Sequence, residues 1–335
     1  MVDGQLNNLM KKIIVINFLM ILVLMLSLEI ISNLFKLSNL MGIQDGLIYN
    51  KEGTNYLNPN KKKTVFNEDV FTDNFGYRVP GNDYKYLNDT NIFLLGDSVS
   101  FGNGVKEEET FVGLLRKKID KKNLLNSSVP GYQMKDHLNI IKIINKLDNV
   151  EKVIYFYTLN DIYGMSNVIS TKDKSNIKIK SNESDFGLKK IMLLNKINTF
   201  LRNKSYLYML IKGLGTDPSK RWFLNLYPKY LDKDLDDLKK NFENLKVIVQ
   251  NNQSEFIIVI LPYEYQTRNC TSDILIPQKK IKNILDSLDI TYVDLTNNFC
   301  NDEKPKNKFY KFDPMHLSKK GHALVYNNLK NEINF

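Results

Sequence analysis

Serine, histidine and aspartate are the residues from which nucleophilic acyl chemistry is built, and this chain holds each in a suggestive setting. Ser98 closes the tripeptide Gly96-Asp97-Ser98, directly after the apolar run Ile92-Phe93-Leu94-Leu95. A short apolar run that stops at a Gly-polar-Ser turn reads as a buried strand delivering a serine to the end of a sheet. Far downstream, Asp313-Pro314-Met315-His316 supplies an acid and a histidine three residues apart. Acyl transfer needs a nucleophile, a histidine that takes its proton and returns it to the leaving group, and a carboxylate that fixes the imidazole tautomer. Ser98, His316 and Asp313 fit those roles. It also needs preorganised donors for the tetrahedral oxyanion. The backbone N–H groups of Ser98 and Gly131 and the side-chain amide of Asn160 are the candidates, with glycine at 131 permitting a sharp turn and a close approach.

Taken singly, each residue has an ordinary structural reading. Ser98 or Asp97 could cap a helix. Asp313-Pro314 could open a turn, His316 could be a packing histidine, and Asn160-Asp161 could be a strand-end turn. All of them in this order, each at an element boundary, point to a site. His322 lies six positions after His316, off the same helical face, and reads as a packing or surface residue rather than a partner in a metal site. His137 sits on an expected helix without a partner pattern. Ser100 lacks the strand-turn placement of Ser98. Arg78 reads as holding its segment against the domain through a buried ion pair, the alternative being contact with substrate.

These residues must be positioned by a sheet. The pattern predicts strands over 92–95, 124–126, 153–158, 256–261 and 290–295. Helices are expected over 110–121, 134–146 and 278–288, with a last one from Ser318 towards the C-terminus. Strands alternating with helices imply a mainly parallel sheet covered on both faces, a three-layer α/β/α domain with right-handed crossovers. Residues distant in sequence then meet at the carboxyl edge of the strands. The alternation lapses over about 163–250. Residues 163–190 are polar and loop-like, and 190–250 carry helical periodicity with many aromatics. This insert is expected to cap the strand ends or wall the substrate. Residues 36–85, rich in Asn, Lys and Gly, read as a stalk and irregular lead-in with a compact turn at Asn74-Phe75-Gly76-Tyr77-Arg78.

The stretch from Ile13 to Leu28 is apolar except for Asn17 and Ser27, and past Glu29 it extends to Phe35. That is long enough to span a bilayer. Lys11 and Lys12 precede it, which places residues 1–12 in the cytoplasm, 13–35 in the membrane and the domain at 86–335 outside. A cleaved signal peptide is the rival, but no small-x-small cleavage site follows Leu28. The chain of 335 residues is 43% hydrophobic and 11% aromatic, which supports a sizeable core and excludes global disorder. Its 47 Lys and Arg against 37 acids give +10, dispersed in small clusters with no basic arm or finger motif, so no nucleic-acid partner is expected. Cys270 and Cys300 could form one disulfide in an exported domain or remain two thiols. Without nearby histidine spacing they make no zinc site.

The blocks resemble those of SGNH, or GDSL-type, hydrolases. Gly96-Asp97-Ser98-Val-Ser-Phe-Gly-Asn-Gly-Val is similar to the first block and Asn126-Ser-Ser-Val-Pro-Gly131-Tyr132 to the glycine block. Asn160-Asp161 is similar to the third, and Asp313-Pro-Met-His316-Leu-Ser-Lys-Lys-Gly321-His322 to the last. The resemblance spans about residues 70 to 335. It implies a flavodoxin-like SGNH fold, Ser98 as nucleophile, His316 as base, Asp313 as its orienter, and Ser98, Gly131 and Asn160 as the oxyanion hole, with no cofactor or metal. One departure is Thr158, where the family often has glycine two residues before the asparagine. A finer resemblance is to membrane-anchored members such as alginate-type O-acetyltransferases, through Asn74-x-Gly76-x-Arg78, Leu261-Pro262-Tyr263-Glu264-Tyr265-Gln266 and Tyr292-Val-Asp294-Leu. It implies an exported hydrolase or O-acyltransferase acting on an acyl ester, most simply an acetyl ester, of an envelope carbohydrate, and it admits a partner membrane acyl-donor protein. The alternative is a catalytically silent glycan-binding or envelope-assembly module.

Overall fold

The computed structural model describes residues 2–86, 89–119, 121–162, 185–231 and 234–335. An apolar helix, Val2–Leu34, leads the chain. Five short strands follow: β1 (Ile48–Lys51), β2 (Thr54–Leu57), β3 (Lys62–Val65), β4 (Glu68–Thr72) and β5 (Arg78–Val79). The central sheet is formed by β6 (Asn91–Gly96), β7 (Asn123–Asn126), β8 (Val150–Tyr157), β9 (Glu255–Ile260) and β10 (Thr291–Asp294). Its order is β7-β6-β8-β9-β10 and every pair is parallel. The inner strands read as continuous apolar runs because helices cover both faces. Ile92 to Leu95, Val153 to Tyr157 and Ile258 to Ile260 are fully buried.

The helices Phe111–Lys118 and Lys319–Glu332 pack on each other on one face. Met134–Ile140, Asp234–Asn251 and Ile276–Ser287 pack along the other. Right-handed crossovers require this division, because the chain moves one way from β6 to β7 and the opposite way from β7 through β8 and β9 to β10. The direction therefore reverses between β6 and β8, and their carboxyl ends form the crevice of a doubly wound sheet. The expected three-layer α/β/α architecture is the observed one.

Several expectations are corrected in detail. Residues 36–85 are not an irregular stalk. Strands β1 and β2 form one hairpin, β3, β4 and β5 a second sheet, and Leu47, Leu57, Val65, Val70 and Tyr77 join the main core. Alternation is hidden there because each strand has only two to five residues. The helix after β6 stops at Lys118, and the one after β7 passes into 3-10 geometry over Ile141–Lys146. In the expected insert, residues 163–184 lie outside the described residues. Helices Asp185–Lys204, Tyr206–Thr216 and Pro218–Leu226 follow. The last part of the insert, Asp234–Asn251, is no cap: Leu238, Phe242, Leu245 and Val249 are buried as the crossover into β9. Cys270 and Cys300 are joined in a disulfide with Cα atoms 6.0 Å apart.

Candidate active site

Strand β6 delivers Ser98 as the first residue of a one-turn helix, Ser98–Phe101. Asp97 caps that turn, its Oδ1 accepting the Val99 N–H at 2.8 Å. Gly96 is required by close approach, since a Cβ there would sit 1.9 Å from Ser100 Oγ. Ser100 itself is buried, its Oγ 3.1 Å from Ser128 Oγ, and takes no part in the chain of bonds from Ser98.

Ser98 Oγ lies 2.8 Å from His316 Nε2, and His316 Nδ1 lies 2.8 Å from Asp313 Oδ2. The other carboxylate oxygen of Asp313 accepts the backbone N–H groups of Met315 (2.9 Å) and His316 (2.7 Å). That Asx-type turn explains why acid and histidine are spaced by three: one oxygen folds the loop while the other orients the ring. Burial disfavours the His316 imidazolium, but the Asp313 carboxylate and its hydrogen bond outweigh burial and raise the His316 pKa. The ring edge packs on Phe66 at 5.2 Å between centroids. The loop is held from the side by the Glu264 N–H, which donates to Pro314 O at 2.9 Å.

Neither the Ser98 nor the Gly131 backbone N–H donates to a protein acceptor among the described residues. Gly131 has φ +89°, and a Cβ there would meet open space, so the backbone faces the cavity bare. Asn126 ties this loop to the Ser98 turn, its Nδ2 donating to Ser100 O at 3.3 Å and its Oδ1 accepting the Ser128 N–H at 3.2 Å. Asn160 Nδ2 donates to Asp97 Oδ2 at 3.0 Å, and Tyr263 Oη donates to Asn160 Oδ1 at 2.9 Å. These bonds fix the amide and leave its second N–H to the cavity. The five expected site residues, Ser98, Gly131, Asn160, Asp313 and His316, all line one cavity of about 400 Å³, the Asp313 carboxylate reaching the far side of the histidine ring.

The sequence reading missed the supports. Thr158, where the resemblance led us to expect glycine, places its hydroxyl 2.9 Å from Asp97 Oδ2 and 2.7 Å from Asn160 Oδ1, bridging the Ser98 turn and the amide. Asp161 accepts the Tyr155 hydroxyl at 2.9 Å and the Thr158 N–H at 3.2 Å; burial raises its pKa. His137 Nε2 is 3.4 Å from Asp161 Oδ1, a partner that helical position alone did not reveal. Of the two readings of His322, surface or packing, the structure has the packing one: it is buried, its Nδ1 accepting the Phe111 N–H at 3.2 Å. The expected ion pair of Arg78 is replaced by carbonyls: its guanidinium donates to Phe101 O, to Gly102 O at 2.7 Å and to Val105 O at 2.5 Å. Backbone dipoles, rather than a counter-ion, gather around it, and burial lowers its pKa to about 9. Arg78 does hold its segment against the domain, by gripping the turn that follows Ser98.

The cavity's opposite wall comes from Met41 and from insert residues Arg202, Met209, Lys212, Gly213 and Trp222. Among the described residues no group of three His, Cys, Asp or Glu side chains could hold a metal ion.

Solved structures to which this chain is similar include esterases and lipolytic proteins. An acetyl xylan esterase is similar at 14% identity and a TM-score of 0.43, covering 73% of this chain and all of its own 100%. A G-D-S-L lipolytic protein from Veillonella parvula is similar at 12% identity and 0.42, covering 72% and 97%. An acetyl-xylooligosaccharide esterase from Geobacillus is similar at 14% and 0.42, covering 74% and 95%. No family model and no curated protein matches the chain. Likeness at this level decides nothing about chemistry, which rests on the residues themselves.

Proposed function

We propose that the protein is an exported, membrane-anchored serine acyl-ester hydrolase or O-acyltransferase whose substrate is an acyl, most simply acetyl, ester of an envelope carbohydrate. The observation that carries the chemistry is the unbroken chain Ser98 Oγ, His316 Nε2, His316 Nδ1, Asp313 Oδ2, with both hydrogen bonds at 2.8 Å. A silent binding module has no use for that alignment.

In the first step Ser98 Oγ bonds to the ester carbonyl carbon as its proton passes to His316 Nε2, and the carbonyl oxygen becomes an oxyanion held by the Ser98 and Gly131 N–H groups and Asn160 Nδ2. The carbon–oxygen bond to the leaving alcohol then breaks, and His316 returns the proton to that oxygen. This leaves an acyl ester on Ser98. In the second step His316 takes a proton from the incoming hydroxyl, that oxygen attacks the acyl carbon, and Ser98 leaves with the proton. Hydrolysis takes the hydroxyl from water and transfer takes it from a sugar; a membrane acyl-donor partner would load Ser98 in the transfer case.

Export and anchoring draw support from the helix over Leu9–Leu34, whose apolar side chains stand exposed, and from the disulfide, which suits an oxidising compartment. A fluorophosphonate probe should label the wild-type protein and leave Ser98→Ala unlabelled. A folded wild-type protein that takes no label would return the silent module. Loss of O-acetyl groups from surface glycan in Ser98→Ala cells indicates transfer, whereas unchanged glycan with lost esterase activity removes it.

A further inference from the structure

The foot of the leading helix does not hang free of the domain. Both carboxylate oxygens of Glu29 are taken by the start of the insert helix Tyr206–Thr216: Ser205 Oγ donates at 2.6 Å, Tyr206 N–H at 2.7 Å and Leu207 N–H at 3.0 Å. Ser32 is buried in the same contact, and Ser38 Oγ donates to Tyr206 O at 2.6 Å. Glu29 lies five residues before the end of the apolar span at Leu34. At 1.5 Å per residue that is about 8 Å along the helix axis. If Leu9–Leu34 crosses a bilayer, helix Tyr206–Thr216 begins within the interfacial layer.

The insert helices that join this contact also carry exposed apolar side chains. Ile211 and Leu214, one turn apart, are 61% and 72% exposed. On the preceding helix Leu194, Ile197 and Phe200 form a second exposed apolar stripe. In water each would be a cost; at a headgroup boundary an apolar helix face is what binds. Charge agrees independently. From residue 194 to 231 the chain carries seven Lys and Arg and one acid, Asp217, a balance that suits anionic lipid headgroups.

We infer that the insert helices lie on the bilayer surface through Ile197, Phe200, Ile211 and Leu214, with an anionic lipid surface as the occupant of that face. The placement rests on the membrane-anchor reading proposed above. The reactive cavity shares the same helix, since Met209, Lys212 and Gly213 line it. Its substrate is then an ester presented at the membrane surface, on a lipid-borne or membrane-held carrier, rather than one diffusing freely in the bulk.

The test uses the full chain in vesicles of phosphatidylethanolamine and phosphatidylglycerol that contain brominated lipid. An environment-sensitive thiol dye is placed singly by Leu214→Cys, Ile197→Cys, Leu22→Cys in the span, or Lys121→Cys at the amino edge of the sheet. Melting temperature confirms that each variant is folded. Labels at Leu214 and Ile197 should be quenched and blue-shifted nearly as far as the label at Leu22, with Lys121 unaffected. Quenching at Leu22 without quenching at Leu214 and Ile197 overturns the surface placement and leaves the anchor standing. No quenching at Leu22 overturns the anchor, and the placement with it. If either insert variant fails to fold, the other decides.

Discussion

In Asp313 one carboxylate oxygen orients His316 and the other folds the loop that carries both. Asp313→Asn keeps much of the fold-making role and loses the charge. We expect kcat to fall by about 10⁴, as when a triad histidine is left in the wrong tautomer. The pH profile supplies the sign. His316 must be neutral to accept a proton, so activity rises as pH climbs through its raised pKa. Removing the Asp313 charge leaves burial, which lowers that pKa, so the acid limb of residual activity should move to lower pH. A limb that stays in place would show that Asp313 does not set the base. Asn160→Ala removes one oxyanion donor and should cost roughly 10²–10³ in kcat with little change in KM. Thr158→Val should cost less, because Asp97 and Tyr263 still hold the amide. At this scale Ser98, Asn160, Asp313 and His316 were legible from sequence, since each is a polar residue that closes or opens an element. The groups that steady them were not, because Thr158, Tyr263 and Asn126 act through contacts that only the folded sheet brings about.

Strand ends, turns and caps decide whether those residues meet. Arg78 sits on the two-residue strand β5 and binds the carbonyls of Phe101, the last residue of the Ser98 helix, and of Gly102 and Val105 just after it. Arg78→Ala would leave buried carbonyls without donors, a loss of at least about 2 kcal/mol. The variant should melt earlier in thermal unfolding, and activity should fall even below the melting range because the nucleophile turn loosens. Arg78→Lys should rescue only in part, since one ammonium cannot span the same fork of acceptors. The main strands and crossover helices could be read in advance because runs such as Ile92 to Leu95 are long, apolar and bounded by turns. The lead-in could not. Its hairpin at Phe66 and Asn67 turns through two non-glycine residues at φ +51° and +67°, which is weak turn chemistry by sequence. It nevertheless brings Phe66 against the histidine ring.

Across the whole molecule two features set stability. The Cys270–Cys300 bond closes a separation of 30 residues that holds the helix Ile276–Ser287 and all of β10. Loop-closure entropy gives such a bond about 3–4 kcal/mol, so Cys270→Ser with Cys300→Ser should lower Tm by several degrees. Dithiothreitol should do the same to the wild type and leave the double variant unmoved. His322 is buried without charge, its pKa lowered to about 3 from an ordinary 6.5. Between those values the unfolded chain takes up a proton that the native state refuses. Stability should therefore fall as pH drops through that window, and His322→Gln should flatten the fall in a denaturant titration at successive pH values. The strand order carries a different consequence, one of timing. Ser98 stands 218 positions ahead of His316, and the loop holding Asp313 and His316 is anchored by the last helix, Lys319–Glu332, against Phe111–Lys118. A chain emerging from the ribosome, or threading a translocon from its N-terminus, presents the serine long before its base has been made or has crossed. On the proposed chemistry, Ser98 gains its base only once Lys319–Glu332 has packed against Phe111–Lys118, in the compartment where folding is completed.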